Sequence, residues 1–410
     1  MALNEADDCS NMRKGLSPLA WAAKNGEEAV VELLLARDDI NPNAPDRRNK
    51  TPLFHAVSEG HEGVVRIPLG RGDIDVNTAN IFGQTPLLES ASEGHAGVVE
   101  MLLERKEANP NIVGPFGQTP LFVASQAGHQ VVVQALLVRS DVNPNTPNIN
   151  NETPLFIAAH QGHRGVVKML LERSDIYPGA LVGQGTSPLG RAAQLGWEDV
   201  VETLLELDNV DADLKDNCGR TPLFQAVWGS HGVVVEMLLA RTDVNPNAVN
   251  CCGETPLLRA ARKGEEKIVK MLLGKGSVLP NVASRDGRTP LFEAAGQGHE
   301  GVVKALLNCN DISPDIKAKC GNTPLSEAAG KGHEGVVKIL VGHVDVNCQV
   351  VNHAGQTALA RAEKNGHHSI VKLLSEVKNP STRSDGDKSP ALLTGPSDPN
   401  QHPSKRIRRL

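Results

Sequence analysis

The fold is decided by residues 289–307, which read TPLFEAAGQGHEGVVKALL. Thr289 can cap a helix through its hydroxyl, and Pro290 then falls at the first helical position, where no backbone donor is needed. Gly298 is typical of the left-handed residue that ends a helix. The valine and leucine pairs that follow form the apolar stripe of a second helix. The stretch therefore predicts a helix–turn–helix hairpin with an apolar face that it cannot bury alone.

The same pattern recurs every 34 residues along the chain. Thirteen and fourteen places after each start there is a Val or Ile followed by a Val. Two places before each start the residue is Gly in nine copies and Asn in two, which predicts a tight turn with positive φ because these residues enter the left-handed region most easily. Eleven copies open with Thr-Pro-Leu or a close variant, at Ser17, Thr51, Thr85, Thr119, Thr153, Ser187, Thr221, Thr255, Thr289, Thr323 and Thr357.

These motifs resemble the ankyrin repeat, and the resemblance covers roughly residues 13–377. It implies an all-α solenoid of stacked helix–turn–helix hairpins with β-turn or hairpin-like tips. The period of 34 is one longer than that of the family, and we assign the extra residue to the link where Asn-Pro-Asn recurs. The histidine usual after Thr-Pro-Leu is often replaced by phenylalanine, at Phe54, Phe122, Phe156, Phe224 and Phe292.

Composition divides the chain into three segments. Residues 1–12 are a polar lead-in, residues 13–377 hold the eleven repeats, and residues 378–410 are rich in Pro, Ser, Asp and Lys, which predicts a disordered basic tail. No run of eighteen apolar residues occurs and the N-terminus is polar, so we expect no membrane span and a cytoplasmic location. The end of the tail indicates either a nuclear import signal or a solvated basic end, through Lys405, Arg406, Arg408 and Arg409.

Two repeats depart from the pattern in informative ways. Pro68 stands where other repeats have Leu inside the second helix, and an interior proline costs roughly 3 kcal/mol, so we expect that helix to kink or end early. The last repeat places Glu363 and Ser375 where others are small or apolar, as a terminal cap requires.

The sequence shows no catalytic motif apart from residues that recur with the repeat, so we expect neither an enzyme nor a cofactor. The seven cysteines are scattered without a CxxC pair, which favours free thiols over a thiol sensor. Eight histidines share one repeat position, but neighbouring copies lie roughly 10 Å apart, too far to bind one metal. We predict that each bonds backbone at the turn between helices.

With no catalytic or metal site expected, the remaining candidate for function is a binding surface. The resemblance places partner contacts on the concave side, at the residues four, three and one before each start and seven and eight after it. These positions carry fourteen cations and five anions, a net of +9 in a chain whose total is −6. The middle repeats are apolar there. The candidate binding residues are Arg13, Lys14, Arg47, Arg48, Ile81, Phe82, Phe116, Ile149, Trp228, Arg262, Lys263, Arg285, Arg288, Lys319 and Lys331.

The sequence therefore predicts a non-enzymatic scaffold that binds an acidic partner protein with an apolar anchor, and no small-molecule substrate or membrane. One alternative is an adaptor, or a fragment of a larger signalling or ubiquitin-ligase assembly. Another is nucleic-acid binding through the basic tips, which the lack of regularly interleaved aromatic residues disfavours.

Overall fold

The computed structural model describes residues 15–378, in which the chain forms eleven helix pairs. The only β pairing in this part of the chain is an isolated bridge between Val182 and Thr186, so the predicted all-α fold is confirmed. No helix in it is both long and apolar enough to cross a membrane. The helices are α1 (Pro18–Lys24), α2 (Glu28–Leu35), α3 (Pro52–Glu59), α4 (Glu62–Leu69), α5 (Pro86–Glu93), α6 (Ala96–Leu103), α7 (Pro120–Ala127), α8 (Gln130–Leu137), α9 (Pro154–Gln161), α10 (Arg164–Leu171), α11 (Pro188–Leu195), α12 (Glu198–Leu205), α13 (Pro222–Gly229), α14 (Gly232–Ala240), α15 (Pro256–Lys263), α16 (Glu266–Gly274), α17 (Pro290–Gln297), α18 (Glu300–Leu307), α19 (Pro324–Lys331), α20 (Glu334–Val341), α21 (Ala358–Lys364) and α22 (His368–Lys378).

The first helix of each pair begins and ends as the sequence predicts. The Thr289 hydroxyl oxygen accepts the backbone N–H of Phe292 at 3.2 Å, and the opening Ser or Thr of every other repeat accepts in the same way. Gly298 ends α17 in the left-handed conformation, at φ 81° and ψ 20°. Backbone chemistry at both ends therefore fixes the length of this helix.

The tips that precede the helix pairs are tight turns, as predicted. The residue two places before each start has positive φ in all eleven repeats, including 58° at Asn49 and 64° at Asn151. In the second repeat the N–H of Asn49 donates to the carbonyl of Asp46 at 3.0 Å, which closes a β-turn. The tips are thus β-turns without strands.

One apolar core runs through the whole stack of hairpins. The first helices of neighbouring repeats pack on one another, and so do the second helices. Gly190 replaces a core phenylalanine, and Gln225 of the next repeat lies 2.8 Å from the point where a Cβ would stand. The phenylalanines that replace the family histidine add to this core and are all buried, namely Phe54, Phe122, Phe156, Phe224 and Phe292.

The prediction that the Pro68 helix ends early is wrong. Helix α4 runs to Leu69, the same register position at which α6 ends. Because Pro68 is the second-last residue, it removes only one late helical bond, and the N–H of Gly70 still reaches the carbonyls of Arg66 and Ile67. A small cavity of about 10 Å³ lies beside Pro68, where other repeats have a larger leucine.

A row of asparagines joins consecutive repeats on the side of the links, and we call it the asparagine ladder. In each, the Nδ2 group donates to the carbonyl of the residue thirty places later, for example from Asn43 to Asp73 at 2.6 Å. Aspartates stand at the equivalent place in two repeats, at Asp213 and Asp315. The ladder consists of Asn43, Asn77, Asn111, Asn145, Asn247 and Asn281.

At the C-terminal end of the stack, Glu363 and Ser375 are exposed, which confirms the polar outer face expected of a terminal cap. The proposed lead-in of residues 1–12 and all but the first residue of the proposed tail lie outside the described residues.

Candidate functional site

The tips and the first helices together form one side of the array, which we call the inner face. It carries the candidate residues, with positions counted from the opening Ser or Thr as zero; Arg13 and Lys14 lie outside the described residues. At six junctions in the described part of the chain, neighbouring tips are joined by a backbone bond from position −4 to the carbonyl at −3 of the preceding repeat. The N–H of Ile81 donates to Arg48 at 2.9 Å, and that of Ile149 to Phe116 at 3.0 Å. Such bonds hold the tips in register.

Three candidate residues are brought together in one groove. Ile81, Phe82 and Phe116 line a cavity of about 690 Å³ between the tips of the third and fourth repeats. Their side chains are 58–60% exposed, an unusual state for large apolar residues. Ile149 lies on the next tip and is 68% exposed outside the groove. Helices α5 and α7 supply the groove floor through Leu88, Ser92, Val123, Gln126 and Ala127.

A proline lies at the edge of this groove. Pro115 occupies position −4 of the fourth repeat and has no N–H, so the bond that joins six other pairs of described tips cannot form to the carbonyl of Phe82. The proline ring instead approaches Gly83, with Cγ 3.2 Å from the point where a Cβ would stand. The row of backbone bonds between tips is interrupted there, between the two exposed phenylalanines, as it also is before Gly183 and before His353.

Basic side chains flank the groove on its N-terminal side. Arg47 and Arg48 are exposed on the second tip and form no ion pair within residues 15–378. Lys50, behind them, pairs with Glu89 at 3.6 Å. A second cavity, of about 560 Å³, lies at this tip and is lined in part by both arginines.

Salt bridges neutralise much of the basic charge expected on the C-terminal repeats. Their carboxylates include Glu293 and Glu327, at position +4, which the count of +9 omitted. That position lies on the same helical face as +7 and +8, so the helical period could have identified it. Arg285 and Lys319 are exposed and have no ion pair among the described residues. The paired candidates are Arg262 with Glu254 and Glu293, Arg288 with Glu293, Lys263 with Glu265, and Lys331 with Glu327.

The two glutamates keep Arg262 charged and bound within the protein. Burial alone would lower the pKa of Arg262, but the hydrogen bonds and charges of Glu293 and Glu254 outweigh it and raise that pKa. The Arg262 guanidinium lies 3.0 Å from Glu293. Arg262 therefore acts mainly within the protein, which leaves less charge for a partner than the sequence predicts.

Trp228 lies at the centre of a cluster that the sequence identified only in part. The guanidinium of Arg220 stacks on its indole at 4.5 Å and that of Arg259 at 5.0 Å. Phe224 meets the same indole edge-on, with ring centroids 6.4 Å apart. Arg259 is another position +4 residue, and sequence reasoning missed it.

The histidine row is structural, as predicted. His129 Nε2 donates to the carbonyl of Ser92 at 3.0 Å, and the other seven histidines of the row bond the equivalent carbonyl of the preceding repeat. Trp197 replaces the histidine in one repeat and donates through Nε1 to His160 at 2.9 Å. Among the described residues, no group of three or more His, Cys, Asp or Glu side chains is placed to hold a metal.

The six described cysteines are free. Burial raises the pKa of the Cys309 and Cys348 thiols, which keeps them protonated near neutral pH. Cys251 and Cys252 are neighbours on one tip, with sulfurs 3.9 Å apart.

Comparison with known proteins agrees with this geometry. The family model described as ankyrin repeats (3 copies) matches residues 2–79, 43–113, 67–148, 87–180, 175–248, 234–319 and 310–384. These matches overlap and together cover residues 2–384, far more than half of the chain. A search of the curated proteins found no significant match. With repeated helix pairs, left-handed tips and continuous family matches, the chain belongs to the ankyrin repeat family.

Proposed function

We propose that this chain is a non-enzymatic scaffold that binds an acidic segment of another protein on its inner face. Ankyrin repeats are protein–protein interaction modules. The single observation that carries the proposal is the groove of about 690 Å³ between two phenylalanines that are more than half exposed. An aromatic or aliphatic side chain of the partner fills this groove as its anchor.

Charge at the groove indicates the rest of the partner's chemistry. The backbone bond from Ile81 to Arg48 places the basic second tip directly beside the groove. Arg47 and Arg48 have no carboxylate partner among the described residues, so their charges are available to steer an acidic segment. An apolar anchor followed by carboxylates matches this arrangement.

The proposal is tested by a crosslinking pull-down from the native cell, with the intact chain beside a variant carrying Phe82→Ser and Phe116→Ser. The matched control is Leu33→Ser with Val131→Ser, because these side chains are 70% and 64% exposed on second helices, away from the groove. A captured protein is then purified, and its dissociation constant is measured against all three proteins.

The expected result is an acidic protein that the control retains and the groove variant binds about a hundredfold more weakly, since buried aromatic anchors dominate interface energies. Equal binding by the groove variant refutes the groove as the anchor.

We also propose a cytoplasmic location. The free cysteines support it, because unpaired thiols are typical of reducing compartments. A nuclear location depends on the C-terminal basic cluster, which lies outside the described residues.

A further inference from the structure

We infer that the inner face carries a second subsite, formed by Arg191 and Arg259 around Trp228, which binds two carboxylates of an extended acidic peptide segment. The inference rests on the proposed function, since the same partner segment supplies the carboxylates. It concerns different repeats from the groove and is tested separately.

The first support is the charge left over after pairing. Near Trp228, Arg220 is paired with the buried Asp216, and Arg262 is shared between two glutamates. Arg191 and Arg259 have no carboxylate oxygen within 4.0 Å in the part of the chain that the structure describes. These two arginines therefore carry uncompensated positive charge on the inner face.

The second support is unused hydrogen-bonding capacity. The Nε groups of Arg191 and Arg259 are buried and have no acceptor among the described residues. Within residues 15–378, Arg191 donates only through Nη1, to Gln194 at 2.9 Å, and Arg259 stacks on Trp228. The protein encloses both Nε groups, so a carboxylate meets the outer Nη groups, of which only Arg191 Nη1 has an acceptor among the described residues.

A buried polar side chain lies between them. Gln225 occupies position +4 of the intervening repeat and is 3% exposed, yet its Oε1 atom has no donor in the described residues. Its Nε2 group donates to Asp216 at 3.2 Å, which fixes the amide orientation. Three consecutive repeats thus place unsatisfied polar groups at the same position.

The spacing specifies the ligand. Arg191 and Arg259 are two repeats apart, and packed helix layers are about 10 Å apart, so the two guanidinium groups lie roughly 20 Å from each other. An extended chain rises about 3.3 Å per residue, so it spans that distance in about six residues. The indole of Trp228, 39% exposed, lies between the two arginines and contacts the backbone or an apolar side chain of the segment.

The test uses a phage-displayed library of random 16-residue peptides, selected on the whole chain at low salt. Selected peptides are synthesised, and their affinity is measured by fluorescence anisotropy. The variant is Arg191→Gln with Arg259→Gln, and the charge-matched control is Arg66→Gln with Lys168→Gln, both exposed on second helices. Circular dichroism checks the fold, and Arg191→Lys with Arg259→Lys keeps the charge but not the planar fork.

We expect selected peptides to carry acidic residues about six positions apart and to bind the glutamine variant about tenfold more weakly than the intact chain. The control should bind the peptides within about twofold of the intact chain. The affinity of the lysine variant should lie between those of the intact chain and the glutamine variant. Recovery of no peptides, of peptides without the acidic pair, or of peptides that bind the glutamine variant equally well overturns the subsite.

The two proposals fail in different ways. Peptides that depend on Phe82 and Phe116 but not on the arginines overturn the subsite and leave the groove intact. Peptides that depend on the arginines but not on the phenylalanines support the subsite, and the dissociation constants of the captured partner then decide the groove.

Discussion

The two aspartates of the asparagine ladder should weaken the array at neutral pH, and replacing them with asparagine should strengthen it. Asp213 and Asp315 each accept the backbone N–H of the residue thirty-two places later through Oδ2, at 2.7 and 2.8 Å. Their Oδ1 atoms are buried without a partner among the described residues. In the ladder asparagines, the other side-chain atom is an NH₂ group that donates to the next repeat.

The magnitude follows from one bond gained at each site. Asp213→Asn and Asp315→Asn should each add a hydrogen bond worth about 1 kcal/mol and remove a buried oxygen without a partner, for a gain of about 1–2 kcal/mol. Burial raises the pKa of both carboxyl groups, so the protonated form is favoured in the folded protein. The protonated carboxyl groups contribute fully to the free energy of unfolding below the pKa of an unfolded aspartate, about 3.9. This contribution is lost as the pH rises through the raised pKa of the folded protein.

The assay is urea unfolding of the intact chain and the double variant at pH 7 and at pH 3.5. The gain in free energy of unfolding should be large at pH 7 and small at pH 3.5, where a protonated aspartate can donate as asparagine does. Asn281→Asp is the reverse control, because it removes a ladder bond of 2.6 Å and should destabilise the array at pH 7 by a similar amount. An unchanged midpoint at pH 7, or an equal gain at both pH values, refutes the reasoning.

Three further substitutions, one of them with a matched control, test the packing. Pro68→Leu should raise the free energy of unfolding by about 1–3 kcal/mol in urea titrations, because it restores a helical bond next to a small cavity. Gly298→Ala should lower the free energy of unfolding by about 1–2 kcal/mol, because φ is 81° and the new Cβ lies 2.8 Å from the next repeat's histidine. The control is Gly274→Ala, which should leave that free energy unchanged because its new Cβ has no neighbour within 4 Å. His129→Ala should lower the free energy by about 1 kcal/mol through loss of its bond to Ser92, and an unchanged urea midpoint would contradict that role.

The fold could be predicted from the sequence because every repeat carries the same signals for the start of a helix and for a tight turn. Positive φ at Asn49 and Asn151 followed from comparing the chain with itself, since glycine and asparagine share one backbone preference. The effect of Pro68 was harder to predict, because the cost of a proline depends on how many helical bonds follow it. Here only one residue of α4 follows.

The inner face was predicted only in part. Exposed tip residues such as Phe82 and Phe116 were found because tip positions can be counted from the repeat start. The ion pair of Arg262 with Glu293 was missed because position +4 was left out of the charge count, although it lies on the same helical face. The groove lies between two tips, with Pro115 in its lining, and a contact between neighbouring tips cannot be read from one repeat alone.

The bonds that join repeats span 30 residues in the asparagine ladder and 37 in the histidine row, so each links only adjacent hairpins. The distance between two sites on the array is therefore set by the number of repeats between them. One extra 34-residue unit placed between the groove and Arg191 would move the two apart by about 10 Å and leave the contacts within each unchanged. The number of units between them thus sets the length of the segment that can occupy both.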